Sequence, residues 1–310
     1  MRRFVALLGL PLLAVAACAP VDSAPSGDRD DHRWEAFHQR AVEVAEAWHP
    51  GPGWTSGYVP LQDPTVLVGD PDLTPDLEMA LAAGWYRDQI EIPPARPAAG
   101  TIRFPDGTLT VPLVSAAEAY RQLDQGDPPP CEGRPKAPVP TVEPGPDGSV
   151  SASAAMACIP LTVTAVTLGT VSVRTSRGMA EVPAWLFTVA ELTAPVARVA
   201  VAPQAVTAPP EPTAPARPGP DEVVAANQLR DVDGATVTYL IGVGACDTGI
   251  TPLVQEHDDV VVIGGGVVRS TGVCTEQLKL EPVTVTLAAP LGTRAVLDVL
   301  TGRVLTVQPR

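Results

Sequence analysis

Residues 161–192 read LTVTAVTLGTVSVRTSRGMAEVPAWLFTVAEL, and this stretch decides the fold. Valine and threonine alternate through its first half, the pattern of a pleated strand with one buried face. Ser176-Arg177-Gly178 breaks the alternation as a turn. After the turn Trp185 and Phe187 stand two apart, so they share one face and are expected in the core. VARVAVA at 196–202 continues the β character. A sheet is expected across the middle of the chain.

Downstream, residues 203–220 hold seven prolines in 18 positions. Proline lacks the amide donor of a helix or ladder, so this reads as a linker between domains. Residues 221–310 form a second β-rich unit. Its strands are expected near 235–243, 250–256, 259–269, 278–287, 294–299 and 303–307, with turns at Asp258-Asp259 and Thr301-Gly302. A unit of this size with one disulfide can build its own core.

Upstream, residues 128–146 hold eight prolines in 19 positions and read as an extended surface loop containing Cys131. TIRFPDGTLTV at 101–111 alternates around Pro105-Asp106-Gly107, a hairpin signal. Ser115 and Glu118 form a capping-box pattern. Thr74-Pro75-Asp76 supplies a helix cap, a proline in the first turn and an early acid. Trp34, Phe37, Ala41, Val44 and Trp48 recur at helical spacing, which predicts an amphipathic helix over about 31–49, ended by Pro50-Gly51-Pro52-Gly53. Such a stripe either packs on its own domain or docks another protein. The class is α+β: a mixed region at 32–202, of one unit or two (32–125 and 131–202), merging into a β-sheet, then a Pro-rich linker at 203–220 and a small all-β domain at 221–310.

The first residues carry an address. Arg2 and Arg3 precede 14 uncharged residues, FVALLGLPLLAVAA. A membrane span needs about 20, so residues 1–17 read as a signal peptide. Val15-Ala16-Ala17-Cys18 resembles the lipobox of bacterial lipoproteins. The resemblance implies a diacylglycerol on the Cys18 sulfur, cleavage before that cysteine, and a mature chain that begins there. The competing reading is an ordinary secretory signal that releases the protein. Residues 18–31 then form a small, polar, acidic tether.

With residues 1–17 gone, 19 basic residues face 35 acidic ones, a formal charge of −16. That balance argues against nucleic acid, which is bound through phosphate contacts. It also repels anionic headgroups, which leaves the anchoring to the lipid. Only Lys136 and Lys279 are lysines, against abundant alanine, proline and valine. TSRGMAEVPAWLFTV and APLGTRAVLDVLTGRVL are similar to segments of uncharacterised exported lipoproteins of high-GC Gram-positive bacteria. Resemblance and composition together imply the outer face of the cytoplasmic membrane, with a cell-wall component or envelope protein as partner.

Beyond Cys18 the cysteines are Cys131, Cys158, Cys246 and Cys274. An even number in an oxidising compartment reads as disulfides. Three connectivities are open, and pairing of neighbours, 131–158 and 246–274, is the simplest. No C-x-x-C spacing supports zinc. Signatures of serine hydrolases and zinc proteases, G-x-S-x-G, S-x-x-K and HExxH, do not occur. Asp70, Asp72 and Asp76 lack EF-hand spacing and read as a turn and helix start. Gly264-Gly265-Gly266 lacks the dinucleotide pattern and reads as a β-turn or bulge. His257 is expected in a hairpin turn, and His38 and His49 lie too far apart along a helix to share a metal. Glu181, Glu191, Asp231 and Asp233 are available acids, but no spacing selects a pair.

No catalytic residue, metal or cofactor is expected. The reading is a non-catalytic binding or scaffolding module; the alternatives are a ligand-capturing accessory protein and an exported hydrolase. Two converging carboxylates in a pocket would favour the hydrolase, a deep apolar cleft ligand capture, and a flat exposed edge the binding module.

Overall fold

The computed structural model describes residues 33–69, 71–126, 160–215, 222–275 and 277–308. Cys18, Cys131, Cys158 and the loop at 128–146 lie outside them. The described chain is a mixed α+β fold with an N-terminal helix and two half-barrel sheets.

The first sheet has seven strands: β1 (Thr65–Leu67), β2 (Tyr86–Asp88), β3 (Gly100–Phe104), β4 (Gly107–Val111), β5 (Leu161–Thr175), β6 (Gly178–Val189) and β7 (Val196–Val199). Its spine is the β5–β6 hairpin. Gly178 takes φ +96 at the hairpin turn, a conformation that favours glycine. Trp185 and Phe187 are both buried, and the Trp185 indole donates to the Val114 carbonyl at 3.0 Å. On the far side of β6, β7 and β1 follow at one end and the β3–β4 hairpin at the other. Arg177 ties the two hairpins together: it pairs with Asp106 at 2.7 Å and lies 3.8 Å over the Phe104 ring.

Among the described residues four α-helices accompany the sheets: α1 (Glu35–Glu46), α2 (Pro52–Ser56), α3 (Pro75–Ala83) and α4 (Ala116–Leu123). Thr74 Oγ1 caps α3 by accepting from Leu77 N, and Ser115 Oγ caps α4 by accepting from Glu118 N. The reciprocal half of the capping box is not made, because Glu118 turns to Arg96 at 2.9 Å.

The second sheet runs β10-β11-β8-β9-β12, where β8 is Val223–Asp233, β9 Thr236–Gly244, β10 Thr248–Glu256, β11 Val260–Val268 and β12 Leu278–Thr286. A last strand, β13 (Ala295–Asp298), pairs parallel with β11. Three of these differ from expectation. β8 was not foreseen, because VVAANQLRDVD carries few β-branched residues and two register shifts. Residues 303–307 make isolated bridges at Val304 and Val307 instead of a strand. Gly264-Gly265-Gly266 forms neither turn nor bulge: all three pair within β11, opposite Leu253, Pro252 and Thr251.

The glycines are explained by what lies on them. β11 is buried on both faces, with Val261, Ile263 and Val267 in the core of the half-barrel and Val260 and Val262 in a second cluster outside it. That outer cluster contains Trp34, Phe37, Ala41 and Val44 of the N-terminal helix stripe. The Trp34 ring occupies the space a side chain at Gly266 would need, and Phe37 lies over Gly264. Helix α1 thus packs on the second sheet, in one cluster with Trp54, Val59 and Leu61 of the segment that follows it. Buried Arg40 secures it, donating to Val299 O at 3.2 Å, Leu300 O at 3.3 Å and Pro215 O at 2.5 Å.

The described part of the proline-rich stretch, residues 203–215, is fastened at several points. Thr207 N donates to Tyr58 O at 2.8 Å, the Thr213 hydroxyl donates to Ala47 O, and Ala214 is buried in the cluster under α1. A second seam runs through residues 60–63. Leu61 N donates to Arg174 O of the first sheet at 2.8 Å, Val307 N donates to Leu61 O at 2.8 Å, and Val307 also bridges Leu229 of β8. The two sheets are joined by backbone hydrogen bonds.

The cysteines Cys246 and Cys274 form a disulfide with Cα atoms 6.0 Å apart, joining the β9–β10 turn to the loop before β12.

Candidate functional site

The seam at residues 60–63 opens on one side into a cleft of about 600 Å³. One wall is β1 and β7, and the other is the approach to α3 and its inner face: Pro71, Asp72, Leu73, Glu78, Leu81 and Ala82. Arg230 of β8 and Gln308 close it from the second sheet.

Arg198 is its central cation. The β1–β7 register sets Arg198 opposite Thr65, and Nη1 donates to Thr65 Oγ1 at 2.7 Å. Nη2 donates to Gln122 Oε1 at 3.3 Å. Burial lowers the Arg198 pKa, and the charge of Asp63 pushes it back up. Asp63 is held in turn, since its Oδ1 accepts from Thr65 N at 2.7 Å. A guanidinium held by two hydrogen bonds is pre-organised, so little side-chain entropy is lost when it meets a ligand.

Tyr86 also lines the cleft. Its hydroxyl and Arg198 Nε are buried polar atoms without a partner among the described residues. Burial raises the tyrosine pKa, so the phenol stays protonated. Gly84, at φ +67, ends α3 and lets Gln125 cross close beneath it, with Gln125 N donating to Gly84 O at 2.8 Å. Gln62, Gln122, Gln125 and Gln308 add amides that both donate and accept. Val66, Leu67, Leu73, Leu81 and Val196 supply apolar surface.

The lining contains no serine, cysteine or histidine among the described residues. Its acids are Asp63, tied to a backbone amide, and the exposed Asp72 and Glu78. This arrangement can hold a small molecule by hydrogen bonds and charges of both signs. Among the described residues its one aliphatic hydroxyl, on Thr65, accepts from Arg198.

The acids singled out by sequence lie elsewhere. Glu181 is in β6, and Asp231 and Asp233 are exposed near the β8–β9 turn. Glu191 opens β5: its Oε2 accepts from Thr162 N at 2.7 Å, and although burial raises its pKa, these hydrogen bonds and Arg87 bring it below the ordinary value. His257 sits in the β10–β11 turn as expected, and His257 N donates to Val260 O at 2.9 Å. The fold brings His38 of α1 to the same place, at 3.2 Å from Gln255, which is 3.3 Å from His257. Of the acids named from sequence, only Asp72 reaches the cleft among the described residues. Arg198, Tyr86 and Asp63 carried no sequence signal, because the cleft arises where the two sheets meet.

No protein-family model, no curated protein and no solved structure matches this chain.

Proposed function

We propose that the protein is a lipid-anchored extracytoplasmic envelope protein, acylated on Cys18, that works as a non-catalytic binding module and takes a small polar ligand into the cleft between its sheets. The observation that carries the binding reading is Arg198, hydrogen-bonded to Thr65 and Gln122 in the lining of a cleft of about 600 Å³. That size suits a small ligand. Two arginines and three carboxylates in one lining, with four glutamines between, favour a ligand carrying both charges and amide groups, such as a short peptide. This merges the binding-module reading with the ligand-capture one. A hydrolase is less well supported, because the cleft's one aliphatic hydroxyl among the described residues, on Thr65, accepts from Arg198.

The test uses the Cys18→Ala protein, with trialanine, acetate and a neutral trisaccharide as probes in thermal-shift assays. Trialanine should raise the midpoint, since a ligand at 100 times its Kd stabilises by about 2.7 kcal/mol. The Arg198→Met variant should lose the shift. No shift with any probe in the parent would sink the binding reading. The anchor is tested separately: intact mass and membrane partition should differ between the native and Cys18→Ala proteins by a lipid. The 131–158 pairing remains a proposal, checked by peptide mapping without reduction.

A further inference from the structure

We infer that the end of the second sheet around the Cys246–Cys274 disulfide is a membrane-facing surface, on which the protein rests against the bilayer. The inference rests on the Cys18 anchor proposed above and goes beyond it, since an anchor alone leaves the orientation of the fold free.

Half of the ten large apolar side chains exposed among the described residues lie at this end. Leu278 and Leu280 on β12 are 69% and 51% exposed, Val273 is fully exposed beside Cys274, and Val268 and Ile250 are more than a third exposed. Strand pairing and hydrogen bonds link their positions. Val268 pairs with Thr248, next to the irregularity that holds Ile250. Arg269 follows Val268 and pairs with Asp247, which accepts from Gly244 N at 2.7 Å, and Gly244 lies opposite Leu278. The disulfide ties the loop of Val273 to the β9–β10 turn, so the apolar groups are presented on a braced surface. Exposed apolar patches of this kind mark interaction sites.

The described chain begins at the same end. Trp34 lies on Gly266, two residues before Val268 and on the same face of β11, and Arg33 stacks 4.5 Å over the Trp34 ring. Fourteen residues separate Cys18 from Arg33. A random coil of that length has a root-mean-square span of roughly 20 Å. A lipid on Cys18 would therefore keep this end of the fold nearest the headgroups. Arg33, Arg269 and Lys279 lie at this end, where Asp247 is held by Arg269 and Glu222 and Glu281 are the neighbouring acids. Aliphatic tips with lysine and arginine among them suit a bilayer interface.

The experiment compares hydrogen exchange of the lipidated full-length protein on phosphatidylglycerol–phosphatidylethanolamine vesicles with that of the Cys18→Ala protein in solution. Peptides covering 246–251 and 268–280 should exchange roughly tenfold more slowly on vesicles, with the hairpin at 100–111 unchanged. The variant L278D/L280D alters two exposed positions and should keep its melting midpoint while its exchange at 268–280 returns to the solution rate. A protein that carries the lipid and sits on vesicles, yet exchanges at 268–280 as fast as in solution, would overturn the inference and leave the anchor standing. A native protein without a lipid-sized mass would overturn both. Protection of 268–280 that rises with protein concentration in the absence of vesicles would assign the surface to a second copy and overturn the membrane assignment.

Discussion

Replacing Gly266 with alanine puts a methyl group where the Trp34 ring already is. An ideal Cβ at this position lies 2.5 Å from Trp34 Cζ2 and 2.7 Å from Cζ3. Contacts that short are not sustained, so the ring or the strand must shift. A buried tryptophan covers about 150–250 Å², worth roughly 4–6 kcal/mol at 25 cal/mol per Å² as an upper bound. A partial displacement is the usual response to overpacking and costs about 1–3 kcal/mol. We expect about 2 kcal/mol for Gly266→Ala, a fall of about 4–8 °C in midpoint for a chain of this size. Trp34→Ala alone should cost about 3–5 kcal/mol. In that background the added methyl meets no ring, and the gain in strand preference over glycine should make Gly266→Ala neutral or stabilising by about 0.5 kcal/mol. Urea unfolding of the four proteins, followed by far-ultraviolet circular dichroism, gives the coupling. If Gly266→Ala costs the same in both backgrounds within about 0.5 kcal/mol, Trp34 does not rest on Gly266, and the assignment of α1 to the second sheet is wrong.

Asp298, buried with a raised pKa, accepts from Ala226 N, Thr301 N and the Thr301 hydroxyl; Asp298→Asn turns an amide donor toward one of these donors and should cost about 2–3 kcal/mol in chemical denaturation. Tyr86→Phe removes a hydroxyl with no partner among the described residues, so stability should be unchanged or rise by up to about 1 kcal/mol, and a loss above about 1 kcal/mol would show that the hydroxyl is satisfied. Replacing Cys246 and Cys274 with serine opens a loop with a sequence separation of 28 and should cost about 3–4 kcal/mol on the chain-entropy model. Burial raises the pKa of Glu256, but the Ala288 amide and Arg294 lower it further, leaving it below the ordinary value. Its contribution is therefore present above the unfolded pKa of about 4.3 and lost as pH falls through the folded value. Glu256→Gln should cost under about 1 kcal/mol at neutral pH, and the difference from the parent should vanish in acid-unfolding curves below that range.

The local elements were legible because local chemistry makes them. Alternating valine and threonine gave β5 and β6, Pro105-Asp106-Gly107 gave the β3–β4 reversal, and the stripe from Trp34 to Val44 gave a helix with one buried face. What the stripe could not show was its partner. The physical clue was present as three glycines in a run of valines: Gly264 and Gly266 admit the rings of Phe37 and Trp34, and Gly265 admits Ile241 and Val224 on the other face. Read alone, glycine suggests a turn; its use as a smooth floor appears only once Trp34 and Phe37 are placed. The cleft was less legible still. Thr65, Tyr86, Gln122, Arg198 and Arg230 come from five separate segments, and nothing in their local sequence sets them apart from ordinary surface and sheet residues.

The packing of α1 also bears on the order in which the chain can fold. Arg40 reaches the Val299 carbonyl across a sequence separation of 259. A chain that emerges from its N-terminus presents Trp34, Phe37 and Val44 long before β11 and β13 exist to cover them. Contacts so distant in sequence slow folding and leave apolar surface open meanwhile. Such a topology leaves the cluster under α1 to be completed last, when the final strands close backward onto the first helix, whereas the core of the first sheet draws only on residues 58–202.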